Sequence, residues 1–217
     1  MVLLQDKEFK ETKSIKLRLR DINPDFKELA DWLNINYNHK ILNITYDTIS
    51  NLRPRLNIIF EFTSDKNKYY SNTGYDTEMQ KTIANQFYEI VNSRNLYKRY
   101  NTKDIFVTFQ DFESIAKIES NDKIDKSLIK YLKDLYVNII WEISPGFSAP
   151  TIFFYTNSDL HNVSFASLKE EIRKRYFDLL KVNDEFGYIN NDNFIVYFDS
   201  KENFDTNYSS NWFYYYK

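Results

Sequence analysis

The sequence predicts an α+β fold built from two similar αββαβ units, with antiparallel sheets and helices packed on one face of each sheet. With 42% hydrophobic residues in a chain of 217, there are enough apolar side chains for a buried core. Helical and strand-like patterns alternate along the chain, and their order in the second half repeats that in the first. These observations favour a folded chain over a disordered one.

In the first half, Ser14–Arg20 alternates apolar and basic residues, which is the period of a strand. Asn23 and Pro24 are typical of a helix start, and an apolar helical stripe follows them. Pro54 belongs at a turn or strand start, because it cannot donate a hydrogen bond within a central strand. The other expected elements are strands at Lys40–Ile49, Leu56–Thr63 and Asp104–Phe109, a polar loop at Ser64–Asp76 and a helix at Thr77–Asn92.

The second half shows the same order of patterns. Its expected elements are helices at Asp125–Val137 and Ser164–Lys181 and strands at Asn138–Ile143, Pro150–Thr156 and Asn193–Phe198. The stripe of the first of these helices comprises Leu128, Ile129, Leu132 and Leu135. The tail from Tyr208 fits one more strand, with Trp212, Tyr214 and Tyr216 on one face.

The two halves also agree residue by residue. The stripe Met79, Ile83, Phe87, Ile90 and Val91 matches Leu168, Ile172, Tyr176, Leu179 and Leu180 at a constant spacing of 89 residues. The same spacing carries residues 105–109 onto 194–198, whereas a spacing of 96 places Pro54 on Pro150. Amphipathic elements can match by chance, but an unbroken register across helix, loop and strand favours an internal duplication. We therefore expect units at residues 1–120, including an extra N-terminal strand, and 121–217, packed as one pseudo-dimeric body.

Composition excludes several classes of function. The net charge of −2 gives no general attraction to nucleic acid or to anionic membranes. The absence of cysteine excludes disulfides, cysteine-ligated zinc and thiol catalysis. No apolar run approaches the length of a membrane span, and the N-terminus lacks the apolar stretch of a secretory signal. These features predict a cytoplasmic protein without a membrane partner.

No pattern indicates catalysis or cofactor binding. His39 and His161 have no second histidine at metal-binding spacing, and nucleophile-elbow and phosphate-loop motifs are absent. Carboxylates after the last strand of each half could be arranged around a divalent ion, although such residues are more often caps and turns. These carboxylates are Asp111, Glu113, Asp199, Glu202 and Asp205. We predict no catalytic residue, no cofactor, no metal and no enzymatic activity.

Two surface features are candidates for binding. Tyr69, Tyr70 and Tyr75 lie in the long polar loop, where tyrosines are typical anchors of protein interfaces. The alternative is that Tyr69 and Tyr75 fold back onto the core, and a C-terminal run of aromatic residues is a second, less favoured surface. The strand Lys16–Arg20 carries a basic face of Lys16, Arg18 and Arg20, which offers an alternative nucleic-acid interface. Edge strands also use such charges to block aggregation.

The second half carries the segments IKYLKDLY, NIIWEIS, PTIFFYT, SLKEEIRKRYFDLL and NFIVYFDSKENFDTNY. In their order and aromatic strands, they resemble the YezG-like immunity proteins of bacterial polymorphic toxin systems. The resemblance covers residues 124–208 and, less closely, 26–119. It implies a small, acidic, cysteine-free cytoplasmic protein that neutralises a toxin domain by direct contact, and it assigns no functional residue.

Two departures from that family are visible. The chain holds two units, and its charge is only mildly negative, which argues against a basic nuclease as the target. The resulting prediction is a non-enzymatic protein-binding protein acting as a toxin-neutralising immunity protein. Nucleic-acid binding through Lys16–Arg20 is the alternative.

Overall fold

The computed structural model describes residues 7–72, 74–146 and 149–217 and has an α+β fold. It divides into two compact units, one ending at Ile115 and the other beginning at Ala116. This boundary lies within the helix Phe112–Asp122, a few residues before the predicted division. No helix in the described part of the chain is both long and apolar enough to cross a bilayer.

The elements of the first unit are α1 (Lys7–Lys16), α2 (Pro24–Tyr37), β1 (Ile41–Ile49), β2 (Arg53–Phe60), α3 (Thr63–Asn67), β3 (Tyr70–Ser71), β4 (Gly74–Tyr75), α4 (Thr77–Ser93) and β5 (Phe106–Asp111). Helix α5 (Phe112–Asp122) crosses the boundary. The second unit contains α6 (Lys126–Asp134), β6 (Ile140–Ser144), β7 (Thr151–Phe154), α7 (Asn157–His161), α8 (Ala166–Lys181), β8 (Tyr197–Ser200), α9 (Lys201–Tyr208) and α10 (Trp212–Tyr215).

Each unit has a three-stranded mixed sheet. The strand orders are β1-β2-β5 and β6-β7-β8. In both sheets the first two strands pair antiparallel and the last two pair parallel. The expectation of wholly antiparallel sheets is therefore wrong for the third strand, since α4 and α8 are crossover connections of the kind that parallel pairing requires.

Helices contact both faces of the sheets rather than one. In the first unit, Leu56 and Ile58 belong to the core on the side of α2 and α4, whereas Asn57 between them donates a hydrogen bond to Glu8 of α1 at 2.6 Å. In the second unit, Ile152 belongs to the core beneath α8. The next residue, Phe153, contacts Phe204 of α9 with ring centroids 6.0 Å apart. Adjacent residues of a strand point to opposite faces, so each sheet has a second, smaller layer of helix.

The two units share details beyond their topology. Strands β1 and β6 both carry a bulge, between Ile41 and Asn43 in β1 and between Ile140 and Glu142 in β6. The side-chain oxygens of Asn43 and Glu142 each accept a hydrogen bond from the following backbone N–H, at 2.9 Å for Ile44 and 3.0 Å for Ile143.

The predicted match of strands is off by two residues. Ile44 lies opposite Ile58 and Ile143 lies opposite Ile152, which makes Ile58 the counterpart of Ile152 and the spacing 94 residues. A slip of two residues leaves every side chain on the same face, so the apolar pattern could not detect it. The spacing of 89 holds for the parallel strands, because Phe109 and Phe198 pair with Ile58 and Ile152.

Two predicted strands are helical. Ser14–Arg20 contains the end of α1 and a turn, because α1 buries Phe9 and Thr12 at helical spacing. The apolar residues that suggested alternation, Leu17 and Leu19, are exposed beyond that helix. The tail from Tyr208 forms the end of α9 and then α10.

Candidate functional site

The predicted tyrosine anchors belong mainly to the first unit's own core. Tyr69 is only 1% exposed, and its ring lies 4.9 Å from that of Phe60 and 4.7 Å from that of Phe109. Its hydroxyl is buried without a hydrogen-bond partner in the described part of the chain. Tyr69 is therefore a core residue and not a surface anchor, which corrects the prediction.

Tyr70 and Tyr75 lie on the small hairpin β3–β4 and pack against strand β5. The Tyr70 hydroxyl donates to the carbonyl of Phe109 at 3.2 Å. Half-buried Tyr75 contacts Phe106 and Phe109 with ring centroids 5.9 and 5.5 Å apart. Tyr70 remains partly exposed, but its hydroxyl is already engaged. The loop thus folds back onto the sheet, as the alternative interpretation expected for Tyr69 and Tyr75.

The basic face predicted from Lys16, Arg18 and Arg20 does not form. Lys16 ends α1 and forms an ion pair with buried Glu61, while Arg20 pairs with Glu11 at 3.2 Å. Arg18 has a φ of 58° in the turn that follows the helix. The three residues share no strand, and two of the cations are engaged by carboxylates, so the strand face on which the nucleic-acid alternative was based does not form.

The carboxylates that follow β5 and β8 mainly connect and cap helices. Glu113 accepts a hydrogen bond from the backbone N–H of Thr63 at 3.0 Å, and Glu202 accepts the equivalent bond from Asn157 at 2.9 Å. Asp111 is buried and paired with Lys66 at 2.7 Å. Hydrogen bonds from Lys66 and Ser114 outweigh the effect of burial and lower the pKa of Asp111 below its ordinary value.

The remaining predicted carboxylates are also engaged. Asp199 accepts a hydrogen bond from Tyr215 at 2.7 Å, and Asp205 pairs with Lys201. Within residues 7–72, 74–146 and 149–217, no three histidine, aspartate or glutamate side chains lie where they could hold a metal ion together.

The two histidines have different environments. His39 is buried in the first unit, with its Nδ1 3.2 Å from an oxygen of Asp65. Burial lowers the pKa of His39, and the nearby Asp65 opposes this effect without cancelling it. His161 is exposed at the end of α7. Of the two, only His39 therefore belongs to the buried part of the described structure.

A group of exposed aromatic residues lies at the C-terminus, on and directly after α10. Asn211 caps this helix by accepting hydrogen bonds from the backbone N–H groups of Phe213 at 2.9 Å and Tyr214 at 3.4 Å. The side chain of Phe213 is 69% exposed and that of Tyr214 is 55% exposed. We call Trp212, Phe213, Tyr214 and Tyr216 the C-terminal aromatic surface.

This surface rests on a packed aromatic base. Trp212 lies parallel to Trp141 of β6, with ring centroids 6.0 Å apart, and contacts Phe204 at 4.3 Å. The Tyr216 hydroxyl is 2.5 Å from the Ser144 hydroxyl. Tyr215, anchored on Asp199, has its pKa raised by burial. These contacts hold the short helix in place, so Phe213 and Tyr214 are presented by an ordered element.

Large, rigid aromatic side chains at a surface can bury area with little loss of side-chain entropy, which is the chemistry of a protein contact. The sequence favoured the tyrosine loop over this tail. The signal that could have reversed that choice is Asn211, a residue typical of helix caps, directly before the aromatic run.

No family model matches the chain, and no curated protein matches it.

Proposed function

We propose that this chain is a protein-binding protein that uses the C-terminal aromatic surface as its main contact. The observation that carries this proposal is the pair Phe213 and Tyr214, which are exposed side by side on a helix anchored through Trp212 and Tyr215. Large aromatic side chains held at a surface leave apolar area exposed to water, which is unfavourable. Contact with a partner would bury that area.

The specific form of the proposal is an immunity protein that neutralises a bacterial toxin domain by direct contact. Its support is the resemblance of residues 124–208 to YezG-like proteins in the order of elements. Such proteins act in the cytoplasm of bacteria, where we expect this chain to act. Binding requires no catalytic group, so the role is compatible with carboxylates used as caps and ion pairs.

An internal duplication of the αββαβ unit is part of the same proposal. Its support is the shared strand order, the bulges that precede Asn43 and Glu142 and the hydrogen bonds of Glu113 and Glu202 to equivalent helix starts. The C-terminal aromatic surface is not part of the duplicated αββαβ unit, because it lies on α10, after the elements that the two halves share.

The test is binding to the protein encoded by the gene next to this one, measured by calorimetry at low and high salt. We expect submicromolar binding that survives high salt, because aromatic contacts are not screened by ions. Replacing Phe213 and Tyr214 together by serine is expected to weaken binding at least tenfold and to leave the melting temperature nearly unchanged.

The matched control replaces Tyr88 and Tyr97, two exposed tyrosines of the first unit, by serine. It should bind like the natural chain. Equal weakening by both double variants contradicts the assignment of the surface. Indifference of the natural chain to the neighbouring gene product contradicts the immunity role.

A further inference from the structure

The outer edge of the first sheet is covered by the chain itself. Along β5, the carbonyl of Val107 accepts a hydrogen bond from the Gln80 side chain at 2.5 Å, and that of Phe109 accepts one from Tyr70 at 3.2 Å. The hairpin β3–β4 supplies Tyr70 and also places Tyr75 on this strand. The polar groups that an edge strand leaves unpaired are thus partly satisfied by an aromatic segment.

Among the residues that the structure describes, nothing comparable covers the equivalent edge of the second sheet. At the spacing of 89 residues that holds for the parallel strands, Val196, which directly precedes β8, and Phe198 correspond to Val107 and Phe109. The backbone N–H of Tyr197 donates inward to Pro150 at 2.9 Å, so the polar groups of Phe198 point to the outside. Within the described part of the chain, no side chain donates to the carbonyls of Val196 and Phe198.

The missing cover follows from a shorter connection. Residues 68–76, which contain the hairpin, separate α3 from α4 in the first unit, whereas residues 162–165 alone separate α7 from α8. Beside the open edge, Ile195 and Tyr197 have 54% and 56% of their surface exposed. Their counterparts Phe106 and Thr108 are half-buried and buried. The second unit therefore has an apolar, unpaired strand edge.

Cations border this open edge where the first unit has neutral residues. At the spacing of 89 residues that aligns α4 with α8, Gln80 and Ala84 correspond to Lys169 and Arg173. The ammonium of Lys169 is 5.5 Å from the ring of Phe198, and the guanidinium of Arg173 is 6.0 Å from that of Phe194. Arg173 pairs with Glu170. The ammonium of Lys169 donates a hydrogen bond to the carbonyl of Leu160 at 2.5 Å, and no carboxylate of the described residues forms an ion pair with it.

We propose that the β8 edge binds an extended acidic segment with aromatic side chains, supplied by another protein and added to the sheet as a further strand. Its backbone would pair with Val196 and Phe198, its aromatic side chains would cover Ile195 and Tyr197, and its carboxylates would approach Lys169. The occupant is defined by comparison within the molecule: an aromatic segment covers this edge in the first unit, and the added cations select an acidic one. This surface is distinct from the C-terminal aromatic surface.

The test uses the full chain and a synthetic seven-residue peptide that alternates aspartate or glutamate with tyrosine or phenylalanine. Hydrogen exchange of individual amides is measured by NMR with and without the peptide. At saturating peptide, we expect exchange at Val196 and Phe198 to slow at least tenfold. A peptide with lysine in place of the acidic residues is expected to bind at least tenfold more weakly.

Two substitutions locate the binding. Tyr197→Glu, which removes an edge aromatic ring and places a like charge beside the acidic peptide, is expected to weaken binding at least tenfold, and Lys169→Gln, which copies Gln80, is expected to weaken it several-fold. The matched control Val182→Glu changes an exposed apolar residue after α8 and should leave the affinity unchanged. Replacing Phe213 and Tyr214 should also leave it unchanged, so failure of this proposal and failure of the proposed function are distinguishable.

Unchanged exchange at Val196 and Phe198 with saturating peptide would overturn the proposal. Equal affinity for the lysine peptide would overturn its acidic specificity. If the chain alone sediments as a dimer in which these amides are already protected, the occupant is a second copy and the proposal is wrong.

Discussion

At the scale of single residues, Tyr69 shows how a buried side chain can combine favourable and unfavourable contributions. Its ring packs against Phe60, Phe109 and His39, but its hydroxyl has no hydrogen-bond partner in the described structure. A buried hydroxyl without a partner loses its hydration and gains nothing in return. Burial of the ring therefore stabilises the fold, whereas burial of the unpaired hydroxyl destabilises it.

This balance predicts opposite outcomes for two substitutions. Tyr69→Phe keeps the ring and removes the oxygen, so we expect the free energy of unfolding to stay the same or to rise by about 1 kcal/mol. Tyr69→Ser removes the ring, and we expect a loss of about 3–5 kcal/mol. Urea denaturation measures both. A Tyr69→Phe variant that is less stable by more than about 2 kcal/mol would reveal a partner for the hydroxyl.

A second residue-scale prediction concerns pH and His39. Burial lowers the pKa of His39 below its ordinary value of 6.5, so below pH 6.5 the unfolded chain binds this proton more readily than the folded one does. The contribution of neutral His39 to the free energy of unfolding is therefore fully present above pH 6.5. It is lost as the pH falls toward the pKa of His39 in the folded chain. We expect the free energy of unfolding to fall between pH 6.5 and 5.5, by less than the limit of about 1.4 kcal/mol per pH unit for a single proton.

The measurement is urea denaturation at pH 7.5, 6.5 and 5.5. His39→Gln should remove this part of the pH dependence, whereas His161→Gln, which changes an exposed histidine, should retain it. Carboxylates with a lowered pKa, such as Glu61 and Asp65, lose their contribution only below about pH 4.5, outside this window. The same pH dependence in the His39→Gln variant would assign the effect to another group.

At the scale of secondary-structure elements, helices with local start signals could be predicted from the sequence. Asn23 and Asp76 cap α2 and α4 through their side chains, and the apolar stripe of each helix is buried beneath them. For these elements, the local signal and the tertiary packing agree. Helix α8 also follows its predicted stripe, with Ile172, Tyr176 and Leu180 buried.

Elements whose structure depends on distant partners could not be predicted in the same way. Helix α1 is held by hydrogen bonds from Asn57 to Glu8 and from Asn43 to Thr12, and no feature of the local sequence shows these partners. Strand β8 starts at Tyr197, several residues later than predicted, because its neighbour β7 begins only at Thr151. Pairing partners set such strand limits.

The residues of the candidate site also divide into those with a local sequence signal and those whose position depends on distant partners. A tyrosine in a polar loop can face solvent or fold back, and only the position of β5 decides that Tyr69 and Tyr75 fold back. The C-terminal aromatic surface depends on the helix that starts at Asn211, since a helix and a strand expose different members of the same run of aromatic residues.

At the scale of the whole molecule, the described residues form two hydrophobic clusters, one centred on α2 and α4 and the other on α6 and α8. Each cluster lies within one of the two compact units. Ile83 and Ile172 occupy equivalent positions in these clusters, and both are fully buried. The same substitution at both sites is therefore a matched comparison of the two units.

Ile83→Ala and Ile172→Ala are each expected to lower the stability of their own unit by about 2–5 kcal/mol, because each leaves a cavity under a core helix. Amide hydrogen exchange locates the effect. Ile83→Ala should accelerate exchange in β2 and leave β7 nearly unchanged, and Ile172→Ala should do the reverse, since separate cores allow separate opening. If either substitution accelerates both strands equally, the units unfold as one cooperative body, and a duplicated module with its own core would no longer describe how this chain is stabilised.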